Sequence, residues 1–173
     1  MQGSSMQGGP SATPTTTPGV TSSTDITDDQ ILQAVHVANT GEVDQAKLAL
    51  SKAKDARVKQ FATMMVRDHS EADATGYNLA HRLNLSLADS TLSNQIQSNG
   101  QQTLVQLRGQ GGNTFDRGYI DAQIKEHKDV LDTIDSTLLP NAKNPEVRTH
   151  LQTIRAKVAG HLKEAQSILG SLS

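Results

Sequence analysis

The chain has 173 residues, enough for one domain with a hydrophobic core. Its 16 basic and 18 acidic residues leave a formal net charge of −2, without the basic excess of a nucleic-acid binder. The aromatics, Phe61, Tyr77, Phe115 and Tyr119, are too few for a base-stacking platform. The absence of cysteine excludes disulfides, thiolate metal sites and cysteine nucleophiles, and no apolar run approaches the ~20 residues that span a bilayer.

Residues 1–24 carry no charge and almost no large apolar side chain, and Pro10, Pro14 and Pro18 recur every fourth position. Such a segment buries too little surface to offset its ordering entropy. A disordered Gly/Ser/Thr/Pro-rich tether is expected over residues 1–25, with a folded domain over residues 26–171. The start, MQGSSMQGGP, lacks the apolar stretch of a signal peptide, so a signal or lipid anchor, if the natural chain has one, is expected upstream.

Thr27, followed by Asp28, Asp29 and Gln30, opens the first helix as a capping box with acidic residues in its first turn. Ile31, Val35, Ala38, Ala46, Ala49 and Ala53 then recur at helical spacing to about Lys52 or Ala53. Asp55 caps a second helix with the stripe Val58, Phe61, Ala62, Met65, Ala72, Gly76, Leu79 and Leu83, and the short join makes an antiparallel hairpin. Residues 84–113 form a long connection in which Thr91 to Leu107 has helical spacing interrupted by Asn99-Gly100. A third long helix starts near Thr114 or Phe115, carries Ile120, Ile124, Leu131, Ile134 and Leu138, and ends at Pro140. Asn144-Pro145 is a cap followed by proline at the first helical position. The fourth helix carries Val147, Leu151, Ile154, Val158, Leu162, Ala165, Ile168 and Leu169, with Gly170 as its stop. The fold class predicted is all-α: an up-down-up-down four-helix bundle with an extra helical connection between its second and third helices.

Polar side chains interrupt these apolar stripes. At about 100° per residue, Glu42 falls about 20° from Ile31 and Ala49, His69 follows Met65 by one turn, His127 aligns with Ile120, Leu131 and Ile134, and His161 lies between Val158 and Ala165. Counted from the hairpin turns at about 1.5 Å per residue, the four lie within roughly one turn of a common level. One carboxylate and three imidazoles on a bundle axis form a coordination set for a divalent transition ion, Zn²⁺ first, with Cu²⁺, Fe²⁺ and Ni²⁺ also accepted. A hydrogen-bonded polar network without metal is the competing reading. Gln123, one turn from His127, can orient an imidazole. Asp68 adjoins His69 but points about 100° away. Asp116 suits a helix start, and Tyr119 suits packing. Asp68, Asp116, Tyr119 and Gln123 are the candidates for a supporting shell. His36 and His81 project away from their stripes toward solvent, and His150 sits at a stripe edge.

No Glu-x-x-His, His-Glu-x-x-His or nucleotide-binding glycine fingerprint occurs, and no serine lies in a recognisable nucleophile motif.

The stretch Val58-KQFATMMVRDHS-Glu71, then Phe115-DRGYIDAQIKEH-Lys128, then His161-LKEA-Gln166 resembles the bacterial family called domain of unknown function 4142, over residues 26–170. The resemblance falls on Asp68, His69, Phe115, Asp116, Tyr119, His127 and His161. It implies a ferritin-like bundle and an exported protein of the periplasm or outer membrane, and implies no established activity. Glu42 rests on helical projection instead. The functional expectation is a non-enzymatic, envelope-located metal-binding bundle with Glu42, His69, His127 and His161 as ligands. The alternatives are a metal-free structural or interaction module and, third, a metal-dependent hydrolase or oxidase.

Overall fold

A computed structural model describes residues 25–172; all but the last residue of the tether expected over residues 1–25 lies outside that range. Five long helices follow one another: α1 (Asp28–Lys52), α2 (Ala56–Arg82), α3 (Thr91–Arg108), α4 (Gly112–Thr133) and α5 (Pro145–Ser171). Their starts are where short polar side chains supply acceptors for the unpaired first-turn N–H groups. Asp55 Oδ1 accepts from Arg57 N at 2.8 Å, Ser90 Oγ from Ser93 N at 3.1 Å, and Asn144 Oδ1 from Glu146 N at 2.8 Å. At the first helix, Thr27 N donates to Gln30 Oε1 at 3.2 Å.

Three boundaries differ from expectation. The α4 helix begins at Gly112, earlier than Thr114, because Gly112 adopts φ +58° and turns the chain directly out of α3. Its far end runs on through a π-helical segment, Ile134–Leu138, and a last turn, Leu139–Asn141. There Leu139 N donates to Ile134 O, five residues back. The wider spacing accommodates Pro140, which has no N–H to continue an ordinary helix. The α5 helix passes Gly170 and stops after Ser171.

Hydrogen bonds between helix ends fix the directions. Asp116, near the start of α4, accepts from Lys54 N and Asp55 N at the start of α2, so α2 and α4 run parallel. Arg57 Nη1 donates to Ser171 O, which brings the end of α5 to that same end of the bundle. Asp28 accepts from Lys143 N and Asn144 N, which joins the starts of α1 and α5 at the opposite end. The α3 helix flanks α1 in the same direction, held by Gln33 on Asp89 near one end and by Lys52 on the Arg108 carbonyl near the other. The four principal helices, α1, α2, α4 and α5, therefore run up-down-down-up. This corrects the up-down-up-down order: the connection contains a full-length helix, α3, and that extra pass reverses the chain once more. The four-helix bundle and the helical connection themselves are as expected.

The core is divided. Ile31, Leu32, Val35, Leu79, Ile134, Leu138, Val147, Leu151 and Ile154 form one apolar cluster toward the start of α1. Ala46, Ala49, Val58, Phe61, Met65, Phe115, Ile120, Ala165 and Ile168 form another toward its end. Between them the buried side chains are polar: Asn39, Glu42, Gln45, His69, Gln123, His127 and His161.

Candidate metal centre

The layer between the two apolar clusters is where α2, α4 and α5 each turn one imidazole inward. One ring nitrogen from each of His69, His127 and His161 lies within 4.8 Å of the others, and all three residues are buried, with 7%, 2% and 5% of their surface exposed. Their ring centroids are 5.3, 5.5 and 5.8 Å apart. Rings sharing one ion through bonds of about 2.0–2.1 Å would have centroids roughly 5–5.5 Å apart, so the trio fits a single ion with little adjustment.

The hydrogen bonds decide which nitrogens face the centre. His69 Nδ1 bonds Asn39 Oδ1 at 2.9 Å, His127 Nδ1 bonds the Gln123 carbonyl at 2.9 Å, and His161 Nε2 bonds Asp68 Oδ2 at 3.0 Å. An amide oxygen, a peptide carbonyl and a carboxylate only accept, so each of these ring nitrogens carries the proton. The lone pairs are left on His69 Nε2, His127 Nε2 and His161 Nδ1. Those three atoms are buried and have no hydrogen-bond partner, an arrangement that buried polar groups rarely show unless something else takes the lone pair. A proton on one ring nitrogen held by an oxygen, and a lone pair on the other, is the usual disposition of a metal-ligating histidine.

Burial keeps the rings neutral. It pushes His69 down to about 3, helped by the neighbouring His127 and His161, and His127 down to about 4 against the opposing pull of the Gln123 carbonyl. His161 is lowered by burial in spite of its bond to Asp68. Arg67, hydrogen-bonded to Asp68 at 2.7 Å, holds that carboxyl at about 2, so it is ionised and anchors His161.

The structure brings together three of the four ligands read from the sequence, His69, His127 and His161, and leaves Glu42 out of the group. Glu42 is buried at the right level, but its Oε1 lies 3.7 Å from His127 Nδ1, the protonated side of that ring. Helical projection locates a residue on a face of its own helix and says nothing about which edge of a neighbouring ring it meets. On α1 the residue that hydrogen-bonds a member of the trio is Asn39, one turn earlier on the same stripe. It had a visible signal, a polar side chain four residues after Val35, and was not singled out.

Of the supporting candidates, Asp68 contacts His161 through its carboxylate, whereas Gln123 meets His127 only through its main-chain carbonyl and turns its side chain to Gln45. Asp116 contacts no imidazole; both of its oxygens take the Lys54 and Asp55 N–H groups at the α1–α2 turn, at 2.7–3.1 Å. Tyr119 is fully buried against Phe61 and Phe115 in the apolar cluster beyond the layer. His36 is not simply solvated: it is half-buried and bonds Asp73 at 2.7 Å. His150 is buried beside Gly76, away from the trio. A surface cleft of about 650 Å³, lined by Lys54, Asp55, Asp116, Arg117 and Asp121, lies at the α1–α2 turn, and none of the three imidazoles lines it.

Residues 11–168 match the family described as Domain of unknown function (DUF4142). The chain belongs to that family. Two solved structures share its fold. A DUF305 fragment from Deinococcus radiodurans superposes with a TM-score of 0.73 at 16% identity, covering 84% of this chain and 96% of that one. CopM in its Cu(II)-bound form superposes with a TM-score of 0.65 at 17% identity, covering 86% of this chain and 99% of that one. At such identities the likeness is one of fold. No curated protein matches the sequence.

Proposed function

We propose that this DUF4142 protein holds one late transition ion in its core through His69 Nε2, His127 Nε2 and His161 Nδ1. The observation that carries the reading is the convergence of three buried, unpartnered imidazole nitrogens whose opposite ring nitrogens are each hydrogen-bonded to an oxygen. A three-imidazole set suits Zn²⁺ and Cu²⁺, and the usual order of divalent affinities puts Cu²⁺ ahead. The fold shared with a protein solved in a Cu(II)-bound form supports including copper. The rings are almost closed to solvent, which favours holding an ion over turning over a substrate. Stress protection by sequestration, ion delivery and structural reinforcement are the roles such a site can serve. The envelope setting rests on the family resemblance, and fractionation of cells with detection of the chain tests it; among the described residues no helix is long and apolar enough to cross a membrane.

Elemental analysis of protein purified without a histidine tag, with melting curves before and after chelation, tests the site. An ion at 100 times its dissociation constant adds about 2.7 kcal/mol, or roughly 5–10 °C for a domain of this size. His127→Ala is expected to lose both the ion and the chelator-sensitive part of the melt. A wild-type protein that takes up neither Zn²⁺ nor Cu²⁺ would leave the metal-free alternative. That reading draws on the buried polar ladder Asn39, Glu42 and Gln45 along α1, which fixes the register of the bundle by hydrogen bonds alone.

A further inference from the structure

We infer that the ion of the imidazole trio enters and leaves through the seam between α2 and α5, with the Asp68–His161 pair as its door. The inference rests on the metal reading of the trio and adds the route to it.

The two helices run antiparallel, and polar side chains tie them from end to end. Arg57 Nη1 donates to Ser171 O at 3.1 Å, His161 Nε2 to Asp68 Oδ2 at 3.0 Å and Lys157 Nζ to Glu71 Oε2 at 3.0 Å, and Arg82 pairs with Glu146. Exposed ion pairs of this kind stabilise a contact little. Toward the Arg57–Ser171 end the helices leave a groove of about 260 Å³, walled by Phe61 and Met64 on α2 and by Glu164 and Ile168 on α5. Met64 lies one turn before Asp68, and Glu164 one turn after His161, so the inner end of the groove adjoins that pair.

Other approaches are closed at this level. Between α1 and α2, Asn39 is buried against His69. Between α1 and α4, Gln45 donates to Glu126 and accepts from Gln123, and Gln45 and Gln123 are 1% and 0% exposed. His127, on α4, is the most enclosed of the three imidazole residues, and the two apolar clusters close the layer above and below. On the α2–α5 side the Asp68 side chain is 14% exposed, so the linked pair His161–Asp68 runs from the trio to the surface.

His161 presents Nδ1 to the centre and Nε2 to Asp68. Once the Asp68 bond breaks, the ring is free to turn about its side-chain torsions toward the groove. There an ion leaving water meets the Glu164 carboxylate and the Met64 thioether, donor types that zinc and copper accept. Re-forming the bond returns Nδ1 to the centre. Arg67, on the other oxygen of Asp68 at 2.7 Å, steadies the latch between such local openings.

The chain has no cysteine, so Ser167→Cys, on the wall of the groove, accepts one bulky maleimide there. Zn²⁺ and Cu²⁺ are each used as probe. Affinity is measured at equilibrium, and uptake and release are followed by stopped flow with a chromophoric chelator. Labelled Ser167→Cys is expected to take up and release the ion roughly tenfold more slowly than the unlabelled variant, at unchanged affinity. The same label on Gln106→Cys, on the exposed face of α3, should change neither rate. Asp68→Ala, at a position that water reaches, is expected to speed both uptake and release roughly tenfold. Circular dichroism checks the fold of each variant. Equal rates with and without label on Ser167→Cys, or an equal slowing by label on Gln106→Cys, would overturn the route. Asp68→Ala protein that releases the ion faster but takes it up at the wild-type rate would make Asp68 an orienting partner alone and overturn the door. A wild type that binds neither ion at equilibrium would instead remove the metal reading on which the route depends.

Discussion

Asn39 Oδ1 and His69 Nδ1 meet 2.9 Å apart between α1 and α2, and that contact sets which edge of the His69 ring faces the other two imidazoles. Asn39 is itself 4% exposed, so water is poorly placed to substitute for it. Asn39→Leu removes the acceptor while keeping the volume. The expected result is a 10–100-fold loss of Zn²⁺ affinity, the usual effect of deleting a partner that orients a ligand. Asn39→Asp keeps an acceptor at the same place and should hold the affinity to within a few-fold. Competition against a chromophoric chelator measures both; an Asn39→Leu protein that competes like the wild type would remove Asn39 from the site.

The ion-free protein should be most stable in weakly acidic solution. His69 and His127 titrate near 3 and 4 in the folded state against an ordinary 6.5. The unfolded chain thus binds more protons below pH 6.5, and their contribution to stability is full above that pH and lost as pH falls toward 4 and 3. Burial moves Glu42 up to about 7, and burial with the Glu42 charge moves Glu126 to about 8, against an ordinary 4.5. Their contribution is full below pH 4.5 and lost as pH rises through 7 and 8. The melting temperature of ion-free protein is therefore expected to peak between about pH 4.5 and 6.5, and Glu42→Gln should flatten the alkaline limb. Adding Zn²⁺ should move the peak upward, because protons compete with the ion for the imidazoles. Melting curves over pH 4–9 check each limb; an alkaline limb unchanged in Glu42→Gln would contradict the assignment.

Asp116→Ala separates stability from ion binding. Asp116 is 3% exposed and accepts from two backbone N–H groups at the α1–α2 turn, contacts that tie the start of α4 to that turn. Leaving such groups unsatisfied costs about 1–3 kcal/mol each when water cannot reach them. A clear fall in the denaturation midpoint is expected, with Zn²⁺ affinity of the folded protein unchanged. A loss of affinity without a loss of stability would mean that Asp116 acts on the imidazoles after all.

Ala49→Leu tests the close approach of α1. Ala46, Ala49 and Ala53 are buried in the apolar cluster near the α1–α2 turn, at 0–2% exposure. Extra methylenes there should cost about 1–3 kcal/mol by overpacking, seen as a lower urea midpoint. An unchanged midpoint would show that the helix spacing is looser than this packing implies.

The helices were legible because each apolar stripe is bounded by a side chain with a defined end role, such as Asp55 or Asn144 at a first turn. The level of the imidazoles was legible for a related reason: His69 and His127 sit near mid-helix, so their height hardly changes when a helix is reversed. That same insensitivity hid the chain order, since mid-helix positions carry no information about direction. The neighbours that complete the site were harder to read. Asp68 points off its own helix's buried face and still reaches His161, because α5 packs beside α2. Glu126 occupies a position whose importance depends on Gln45 and Glu42 from another helix. Pairings across helices belong to packing, which a single-helix projection does not contain.

Five passes are an odd number. Because α3 adds a fifth traverse to the four principal helices, residue 25 and residue 172 emerge at opposite poles, about 37 Å apart along a helix of α1's 25 residues. A reporter or fusion partner joined after Ser171 would therefore stand a full bundle length from anything joined ahead of Ile26. If the N-terminal segment is held at a surface, the carboxyl end of α5 points outward from it.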